Sequence, residues 1–385
     1  MMVESKRKSF WGEKMRVILT GGGTGGHIYP ALAIGQALPK AYGHVEFLYV
    51  GSAAGLEKRI VQAAGLPFMA LDVHGWQRKL SFHTLKVCYK TAKALYEANA
   101  IVRNFKPDIV IGTGGYVSLP VVWAASRQKV VTFIHEQNAW PGLANRFLSR
   151  RVSGVLLTYV EASKHFAPDV QKKLHLTGLP IRPAIMSITR EEGLRHFGFN
   201  PAKPVLLVVG GSRGAASINS AMLDVYKDNN LFSQLQIIHL VGAAGYDAYK
   251  RELKSAGIDM GNCGNINIMP YLQEMEYALS CADLCVARAG AAFLSEMTAK
   301  GVPGILIPYP LAAENHQEYN ARTLVDTGAA VMILDRDLNR KKLLESIQDI
   351  LYNEKRRHQM AQNSLKAGKP EAINEIISVI KRSNL

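Results

Sequence analysis

Residues 16–30 read RVILTGGGTGGHIYP, a short β-branched run followed by glycines and then by a histidine that opens an amphipathic segment. Glycine accepts positive φ and lets the backbone approach a ligand, and the first turn of a helix presents free N–H groups and the positive dipole end. The stretch therefore predicts a strand, a turn of phosphate size and a helix. We expect an anionic ligand at this turn; the alternative, a plain strand-to-helix connection, needs only one or two glycines.

The spacing Gly21-x-Gly23-x-x-Gly26 also fits the dinucleotide-binding fingerprint, which requires an acidic residue about twenty positions later. Glu46 has that separation, but it lies early in the next predicted strand instead of at its carboxyl end, where the chain has Gly51 and Ser52. No Lys-Ser or Lys-Thr pair follows the glycines, as a phosphate-binding P-loop would require. The turn is therefore neither a good dinucleotide site nor a P-loop.

Short β-rich runs alternate with helix-length segments along the whole chain. Such alternation predicts α/β domains built on doubly wound parallel sheets. A proline-rich stretch that starts at Gly178 interrupts the rhythm, which restarts at Val205, so we expect two domains. The predicted strands are 17–20, 45–50, 68–73, 109–112, 130–135 and 154–159 in the first half and 205–209, 236–241, 265–269, 284–287, 304–307 and 330–334 in the second.

The expected organisation has four parts. A basic extension, 1–14, lacks the apolar core of a signal peptide and is expected to be a short cytosolic segment. A first Rossmann-like domain follows at 15–181 and a second at 182–365. The C-terminal segment, 366–385, carries apolar residues at helical spacing, so we expect a helix there that packs back on the first domain.

The chain has 385 residues, a net charge of +15 and a pI near 9.6. This balance predicts attraction to a polyanion, and nucleic acid, an anionic membrane surface and phosphorylated substrates all qualify. No nucleic-acid-binding motif accompanies the charge. The apolar runs have strand length and fall short of the roughly 18 residues that span a bilayer. The four cysteines show no metal-ligand spacing and are expected to be reduced, mostly buried thiols: Cys88, Cys263, Cys281 and Cys285.

Seven motifs occur in order across nearly the whole chain, and together they resemble the MurG family of bacterial N-acetylglucosaminyltransferases, in glycosyltransferase family 28. The resemblance implies the GT-B architecture, in which two Rossmann-like domains face each other across a cleft. It also implies inverting transfer of N-acetylglucosamine from UDP-N-acetylglucosamine to the 4-hydroxyl of lipid I, giving lipid II for peptidoglycan. The motifs are GGGTGGHIYPALAI (21–34), GTGGYVSLP (112–120), HEQNAWPGLANR (135–146), GLPIRP (178–183), GGSRGA (210–215), ARAGAAFLSE (287–296) and HQEYNA (316–321).

The resemblance places the nucleotide sugar mainly on the second domain. It implies that Ser212 contacts a donor phosphate, that Glu296 accepts the ribose hydroxyls, and that Leu272 meets uracil partly through its backbone. A plain helix N-cap at Ser212 and an exposed helical glutamate at Glu296 are the structural alternatives. The full predicted donor set is Thr24, Gly25, Gly26, Asn138, Arg182, Ser212, Leu272, Ala291, Ala292, Phe293, Leu294, Ser295, Glu296, Gln317 and Asn320.

Inverting transfer needs a base that takes the proton of the attacking hydroxyl. His27 is the candidate, because an imidazole titrates near neutral pH and this one adjoins the turn expected to hold the acceptor's pyrophosphate. Orienting the acceptor or capping the helix is its rival role, and Glu136 is the fallback base. The predicted acceptor set is Gly22, Gly23, His27, Gly114, Gly115 and Tyr116.

Apolar and basic residues alternate between 73 and 93, a composition suited to anionic lipid headgroups. The alternative is an ordinary amphipathic helix with its apolar face in the core. Because lipid I is membrane-anchored, the resemblance implies a peripheral protein at the cytoplasmic face of the bacterial plasma membrane. The expected membrane patch is Trp76, Lys79, Leu80, Phe82 and Lys86.

No cofactor and no metal is expected. The acids of Asp335-Arg336-Asp337 resemble a metal motif of another glycosyltransferase fold, but they precede a predicted helix near Leu338 and are expected to cap it. The implied partners are the donor, lipid I, the anionic membrane surface and other cell-wall synthesis proteins, with no nucleic acid. The runner-up function is a GT-B transferase for another lipid or small-molecule acceptor, and a basic nucleic-acid-binding protein is the rival of a different class.

Overall fold

The computed structural model describes residues 14–53, 55–73, 82–211, 213–227, 234–258 and 265–383, with the backbone alone for residues 82–91. The first half forms a parallel seven-stranded sheet in the order β3-β2-β1-β4-β5-β6-β7. Its central strands are buried on both faces, as a sheet covered by helices on two sides requires. The strands are β1 (Met15–Thr20), β2 (Val45–Ser52), β3 (Phe68–Leu71), β4 (Ile109–Gly112), β5 (Val131–Glu136), β6 (Gly154–Leu157) and β7 (Leu174–Leu176).

Helices follow the strands of this first sheet on both faces, so the domain is doubly wound as expected. Those helices are α1 (Gly25–Tyr42), α2 (Glu57–Ala63), α3 (Phe82–Phe105), α4 (Ser118–Arg127) and α5 (Leu143–Leu148).

The second half forms a parallel six-stranded sheet in the order β10-β9-β8-β11-β12-β13. Two short helices, α6 (Pro183–Ser187) and α7 (Arg190–Phe197), precede it. Its strands are β8 (Val205–Val209), β9 (Gln236–Leu240), β10 (Ile266–Met269), β11 (Leu284–Ala287), β12 (Gly304–Leu306) and β13 (Ala330–Met332). Its helices are α8 (Ala216–Val225), α9 (Tyr246–Ser255), α10 (Met275–Cys281), α11 (Ala291–Ala299), α12 (His316–Asp326), α13 (Arg340–Leu351) and α14 (Glu354–Ala367).

The last helix, α15 (Ala372–Arg382), returns to the first domain and packs on α1. Ile376 and Ile380 are fully buried in the core cluster that contains Val17 and Leu19 of β1. The helix starts at Ala372, later than the expected 366, because the preceding helix α14 continues to Ala367 and ends with Gly368 as its C-cap. The boundaries of the domains themselves stay a prediction.

No helix in the described part of the chain is long and apolar enough to cross a membrane. Cys281 and Cys285 are buried free thiols, as expected. The other two cysteines cannot be compared with the expectation, because Cys263 and the side chain of Cys88 lie outside the described residues.

Candidate functional site

Two glycine turns meet at the point where the winding of the first sheet reverses, between β1 and β4. The turn after β1 donates the Gly22 N–H to the Gly114 carbonyl at 3.2 Å. The hydroxyl of Thr113, at the end of β4, donates to the carbonyl of His27 at 2.6 Å. In open α/β sheets, ligands bind beyond the carboxyl strand ends at such a reversal. The turns that the sequence singled out therefore lie where a ligand is expected.

Glycine is required on the second turn because His27 and the first turn press against it. A Cβ on Gly114, whose φ is +106°, would lie 2.8 Å from Nδ1 of His27. A Cβ on Gly115 would lie 2.3 Å from the carbonyl oxygen of Gly22. The two turns and the imidazole therefore form one closely packed unit.

The imidazole of His27 is half-buried and is held in a single tautomer. Its Nδ1 lies 2.9 Å from the carbonyl oxygen of Thr113 and 3.0 Å from the side-chain oxygen of Gln137. Both atoms are acceptors, so Nδ1 carries the proton and Nε2 keeps its lone pair. Burial lowers the pKa of His27, and the hydrogen bonds with Gln137 and Thr113 oppose that shift. A neutral imidazole whose Nε2 has no hydrogen-bond partner among the described residues can accept a proton there.

Gly22 and Gly23 were expected to contact the acceptor, but their N–H groups already have partners within the protein. The N–H of Gly22 is bound to Gly114, and the N–H of Gly23 donates to the carboxylate of Glu57 at 2.7 Å. Gly22 and Gly23 therefore have no amide left for a pyrophosphate. The N–H groups of Gly25 and Gly26 stand in the first turn of α1, where no intrahelical partner exists.

Glu136 ends β5 and organises the loop that follows it. Its Oε1 accepts the N–H of Asn138 at 3.0 Å, and its Oε2 accepts the N–H of Gly142 at 3.1 Å and the amide of Asn145 at 2.8 Å. Burial raises the pKa of this carboxyl, and these bonds oppose the rise. Because both oxygens are engaged by the loop, the geometry argues against the fallback base role and for a structural one.

The donor-side segment of the second domain begins where β11 ends and continues into α11. Ala291 and Leu294 are buried, so only their backbone can reach a ligand, whereas Ala292 is exposed. Phe293 and Ser295 are half-buried beside them. The first-turn N–H groups of α11 lie at the reversal point of the second sheet, between β8 and β11, which suits a phosphate.

Glu296, further along α11, is already paired in this structure. Its two oxygens accept Nε of Arg182 at 2.7 Å and Nη2 at 2.9 Å. Nη1 of the same guanidinium donates to the Gln273 carbonyl, and the ion pair raises the pKa of Arg182. Arg182 and Glu296, both in the predicted donor set, are therefore in direct contact. Arg182 engages both oxygens of the carboxylate that is expected to accept the ribose hydroxyls.

The remaining donor residues surround this position. Leu272 is half-buried beyond β10, with its side chain packed against the core. Gln317, at the start of α12, accepts the N–H of Tyr309 at 3.0 Å. Ser212 lies outside the described residues, and so do Trp76, Lys79, Leu80 and the side chains of Phe82 and Lys86.

Asp335 has a different partner from the one expected. It accepts hydrogen bonds from Arg288 at 2.5 Å and from Ser217 at 2.7 Å. Helix α13 begins two residues later than expected, and its N-cap is Asn339, whose side chain accepts the N–H of Lys342. Asp335 therefore pairs with an arginine whose side chain is 11% exposed instead of capping a helix.

Asn320 joins the domains instead of facing open space. It is fully buried, and its Oδ1 accepts the N–H of Ala139 at 2.8 Å. Its Nδ2 donates to the side-chain oxygen of Asn138 at 3.1 Å and to the Ala289 carbonyl at 3.2 Å. Both amide hydrogens of Asn320 and one acceptor position of its Oδ1 are already used by residues of the two domains, which argues against the predicted donor contact.

Aromatic rings extend this interdomain contact. Trp140 of the first domain stacks on Tyr319 of α12 with ring centroids 4.7 Å apart. An ion pair between Arg146 and Glu314, at 3.5 Å, lies beside it. The loop beyond β5 thus meets the segment beyond β12, so the carboxyl edges of the two sheets face each other.

Tyr116, exposed to 63%, lies on the second glycine turn of the first domain.

Three contributors escaped the sequence reasoning. Gln137 and the carbonyl of Thr113 orient His27, and Glu57 binds the first glycine turn. Gln137 lies in the motif at 135–146 and Thr113 in the motif at 112–120, and this position was the available signal in the sequence. Glu57 stands alone in the sequence, and only the fold brings it to Gly23.

Two doubly wound domains that meet at their carboxyl edges, with a histidine on one side and a helix N-terminus on the other, define the GT-B class of enzymes that use nucleotide sugars. Family models agree with this architecture in both halves. The glycosyltransferase family 28 N-terminal domain matches residues 17–157, and the glycosyltransferase family 28 C-terminal domain matches residues 205–376. The chain belongs to glycosyltransferase family 28.

Curated relatives match nearly end to end. A protein of Desulforamulus reducens is 48% identical over 368 residues, which cover 96% of this chain and 98% of the relative. A protein of Halothermothrix orenii is 48% identical over 95% of this chain and 98% of its own. Each is named a UDP-N-acetylglucosamine–N-acetylmuramyl-(pentapeptide) pyrophosphoryl-undecaprenol N-acetylglucosamine transferase.

Solved structures share the fold. MurG of Acinetobacter baumannii superposes with a TM-score of 0.76 at 26% identity, over 96% of this chain and 99% of that one. A UDP-GlcNAc 2-epimerase of Neisseria meningitidis bound to UDP-GlcNAc reaches a TM-score of 0.66 at 14% identity, over 96% and 100% of the two chains. The likeness to the epimerase concerns the fold alone.

Proposed function

We propose that this protein transfers N-acetylglucosamine from UDP-N-acetylglucosamine to lipid I, the undecaprenyl-pyrophosphoryl N-acetylmuramyl-pentapeptide, and so makes lipid II for peptidoglycan. The observation that carries the proposal is the unbroken similarity to curated transferases, 43–48% identical over about 96% of the chain. It spans both domains and therefore both sides of the cleft.

On the acceptor side, the proposal assigns the base to His27. The 4-hydroxyl oxygen of the muramyl unit attacks the anomeric carbon of the donor sugar while its proton passes to Nε2. The Nδ1 contacts with Thr113 and Gln137 support this role, because they keep the lone pair on Nε2. The amides of Gly25 and Gly26, at the start of α1, are the proposed partners of nearby anionic or sugar oxygens.

On the donor side, the bond from the anomeric carbon to the UDP oxygen breaks and negative charge develops on the diphosphate. The first-turn N–H groups of α11 are the proposed stabilisers of that charge, together with the helix dipole. Glu296 is proposed to bind the ribose hydroxyls. Arg182 then either gives up its hydrogen bonds to the Glu296 carboxylate or keeps them while the carboxylate also accepts the hydroxyls. No cofactor is part of this proposal.

The acceptor's lipid anchor leads to a proposed location at the cytoplasmic face of the plasma membrane. The net charge of +15 favours anionic headgroups. Contacts with other cell-wall synthesis proteins, and roles in cell shape and division, belong to the same proposal. The contacts expected with lipid are Trp76, Lys79, Leu80, Phe82 and Lys86.

The function is tested by following UDP release and sugar products with a soluble lipid I analogue. We expect UDP release only when donor and analogue are both present, with a disaccharide product. Conversion of UDP-N-acetylglucosamine to its 2-epimer without acceptor, or activity with other lipid acceptors alone, would overturn the proposal.

Membrane binding has its own test, flotation with vesicles of anionic phospholipid. Replacing Trp76, Leu80 and Phe82 together by Ser should abolish flotation while UDP release with the soluble analogue persists. If the folded variant still floats with the vesicles, the proposed membrane patch is wrong.

A further inference from the structure

Glu57, the first residue of α2, is a wholly buried carboxylate beside the first glycine turn. Its Oε1 accepts the N–H of Gly23 at 2.7 Å. Its Oε2 is also buried and has no hydrogen-bond partner in the described part of the chain. An unpaired buried carboxylate oxygen costs folding free energy, so a residue placed only for stability would not be expected here.

The space for this carboxylate is built by glycines. A Cβ on Gly22 would lie 1.9 Å from Oε1, and a Cβ on Gly55 would lie 1.5 Å from Oε2. A methyl group at either position would displace the carboxylate. The sequence around the turn is therefore shaped to admit Glu57.

Glu57 is linked to the imidazole by a short series of contacts. Gly23 is exposed, and apart from its chain neighbours no atom of the described residues lies within 4 Å of the position of its Cβ, so the bond to Glu57 restrains an otherwise open turn. The neighbouring Gly22 donates to the carbonyl of Gly114, and Gly114 packs against the ring of His27. The shape of the first turn is thus transmitted to His27.

We propose that Glu57 is a positioning residue of the transfer reaction, which holds the glycine turn in the shape that receives the acceptor. This inference rests on the proposed function. Glu57 acts through Gly23 and touches neither substrate. By binding the Gly23 N–H inward, it also leaves the amides at the start of α1 as the donors that face the cleft.

The test compares Glu57→Met, which keeps the length of the side chain but lacks the acceptor oxygen, with Glu57→Gln, which keeps that oxygen. For Glu57→Met we expect kcat/KM for the lipid I analogue to fall by about tenfold or more, with the KM for UDP-N-acetylglucosamine changed less than about twofold. Glu57→Gln should recover most of the loss. Glu354→Met, at an exposed glutamate that also begins a helix, is the matched control.

The inference is overturned if Glu57→Met matches Glu354→Met, or if both substrates' KM values rise together and Glu57→Gln does no better. If Glu57→Met does not fold, Gly55→Ala decides, because it pushes the carboxylate from Gly23 without removing it and should give the same split. Wild-type protein that releases no UDP with the analogue would refute the proposed function instead.

Discussion

At the scale of single residues, the chemistry of the candidate site depends on one imidazole and on what faces its Nδ1. Two acceptor oxygens, from Thr113 and Gln137, fix the proton on Nδ1 and leave Nε2 basic. Burial lowers the pKa, so the neutral form predominates at neutral pH. Proximity in sequence does not predict this, because Gln137 lies 110 residues from His27.

This arrangement predicts the acid side of the pH profile. Because the base must be neutral and burial lowers its pKa from 6.5, the acid-side decline of kcat/KM should have its midpoint below pH 6.5. In His27→Gln, kcat should fall by roughly 10²- to 10⁴-fold and this decline should vanish. His358→Gln, on an exposed helix face, is the control. A decline centred at or above pH 6.5, or one that survives in His27→Gln, would contradict the assignment.

At the scale of elements, the last helix ties the end of the chain to its beginning. Ile376 and Ile380 of α15 lie in the core of the first domain with residues of β1 and α1, although α15 follows the second domain in the chain. The chain passes Gly178 at the crossing, where a Cβ would lie 2.5 Å from Lys369. The helix therefore stabilises the first domain as well as the linkage between the two.

Shortening one buried side chain of this helix should be costly. Ile380→Ala leaves a cavity in the first core and should lower the free energy of unfolding by about 2–5 kcal/mol. Ile377→Ala, at a half-buried position one turn earlier on the same helix, should cost clearly less. Denaturant unfolding measures both, and equal losses would mean that α15 does not pack as described.

The elements themselves were largely predictable from hydrophobic alternation. All twelve expected strands occur, with ends shifted by at most two residues. The edge strand β7, Leu174–Leu176, was missed, because three residues give no alternation to detect. Asp335 was misassigned, because its partner Arg288 is 47 residues away and only the sheet brings them together. Local patterns predict elements, but contacts between distant segments depend on the fold.

At the scale of the whole molecule, the cleft is closed at one side by contacts that link the domains. Asn320 hydrogen-bonds Ala139 and Asn138 of the first domain there, and Trp140 stacks on Tyr319 beside it. The family resemblance indicated that Asn138 and Asn320 share a site, and they do touch. What it could not indicate was that they bind each other in this structure.

Removing the Asn320 amide tests this domain contact. Asn320→Leu leaves the Ala139 N–H and the Ala289 carbonyl without their partner, so the free energy of unfolding should fall by about 1–3 kcal/mol. Asn374→Leu, at an exposed position of α15, should have little effect. Thermal or denaturant unfolding measures the difference, and an unchanged free energy of unfolding in Asn320→Leu would show that this amide contributes nothing to stability.

The central claim is that one cleft serves two substrates, with the acceptor at His27 and the donor at Glu296. The most direct measurement is a steady-state kinetic comparison of His27→Gln and Glu296→Gln with both substrates varied. We predict that Glu296→Gln raises the KM for UDP-N-acetylglucosamine about tenfold or more with the acceptor KM little changed, whereas His27→Gln lowers kcat and leaves the donor KM alone. Near-normal turnover of both variants, or the reverse pattern, would contradict the account.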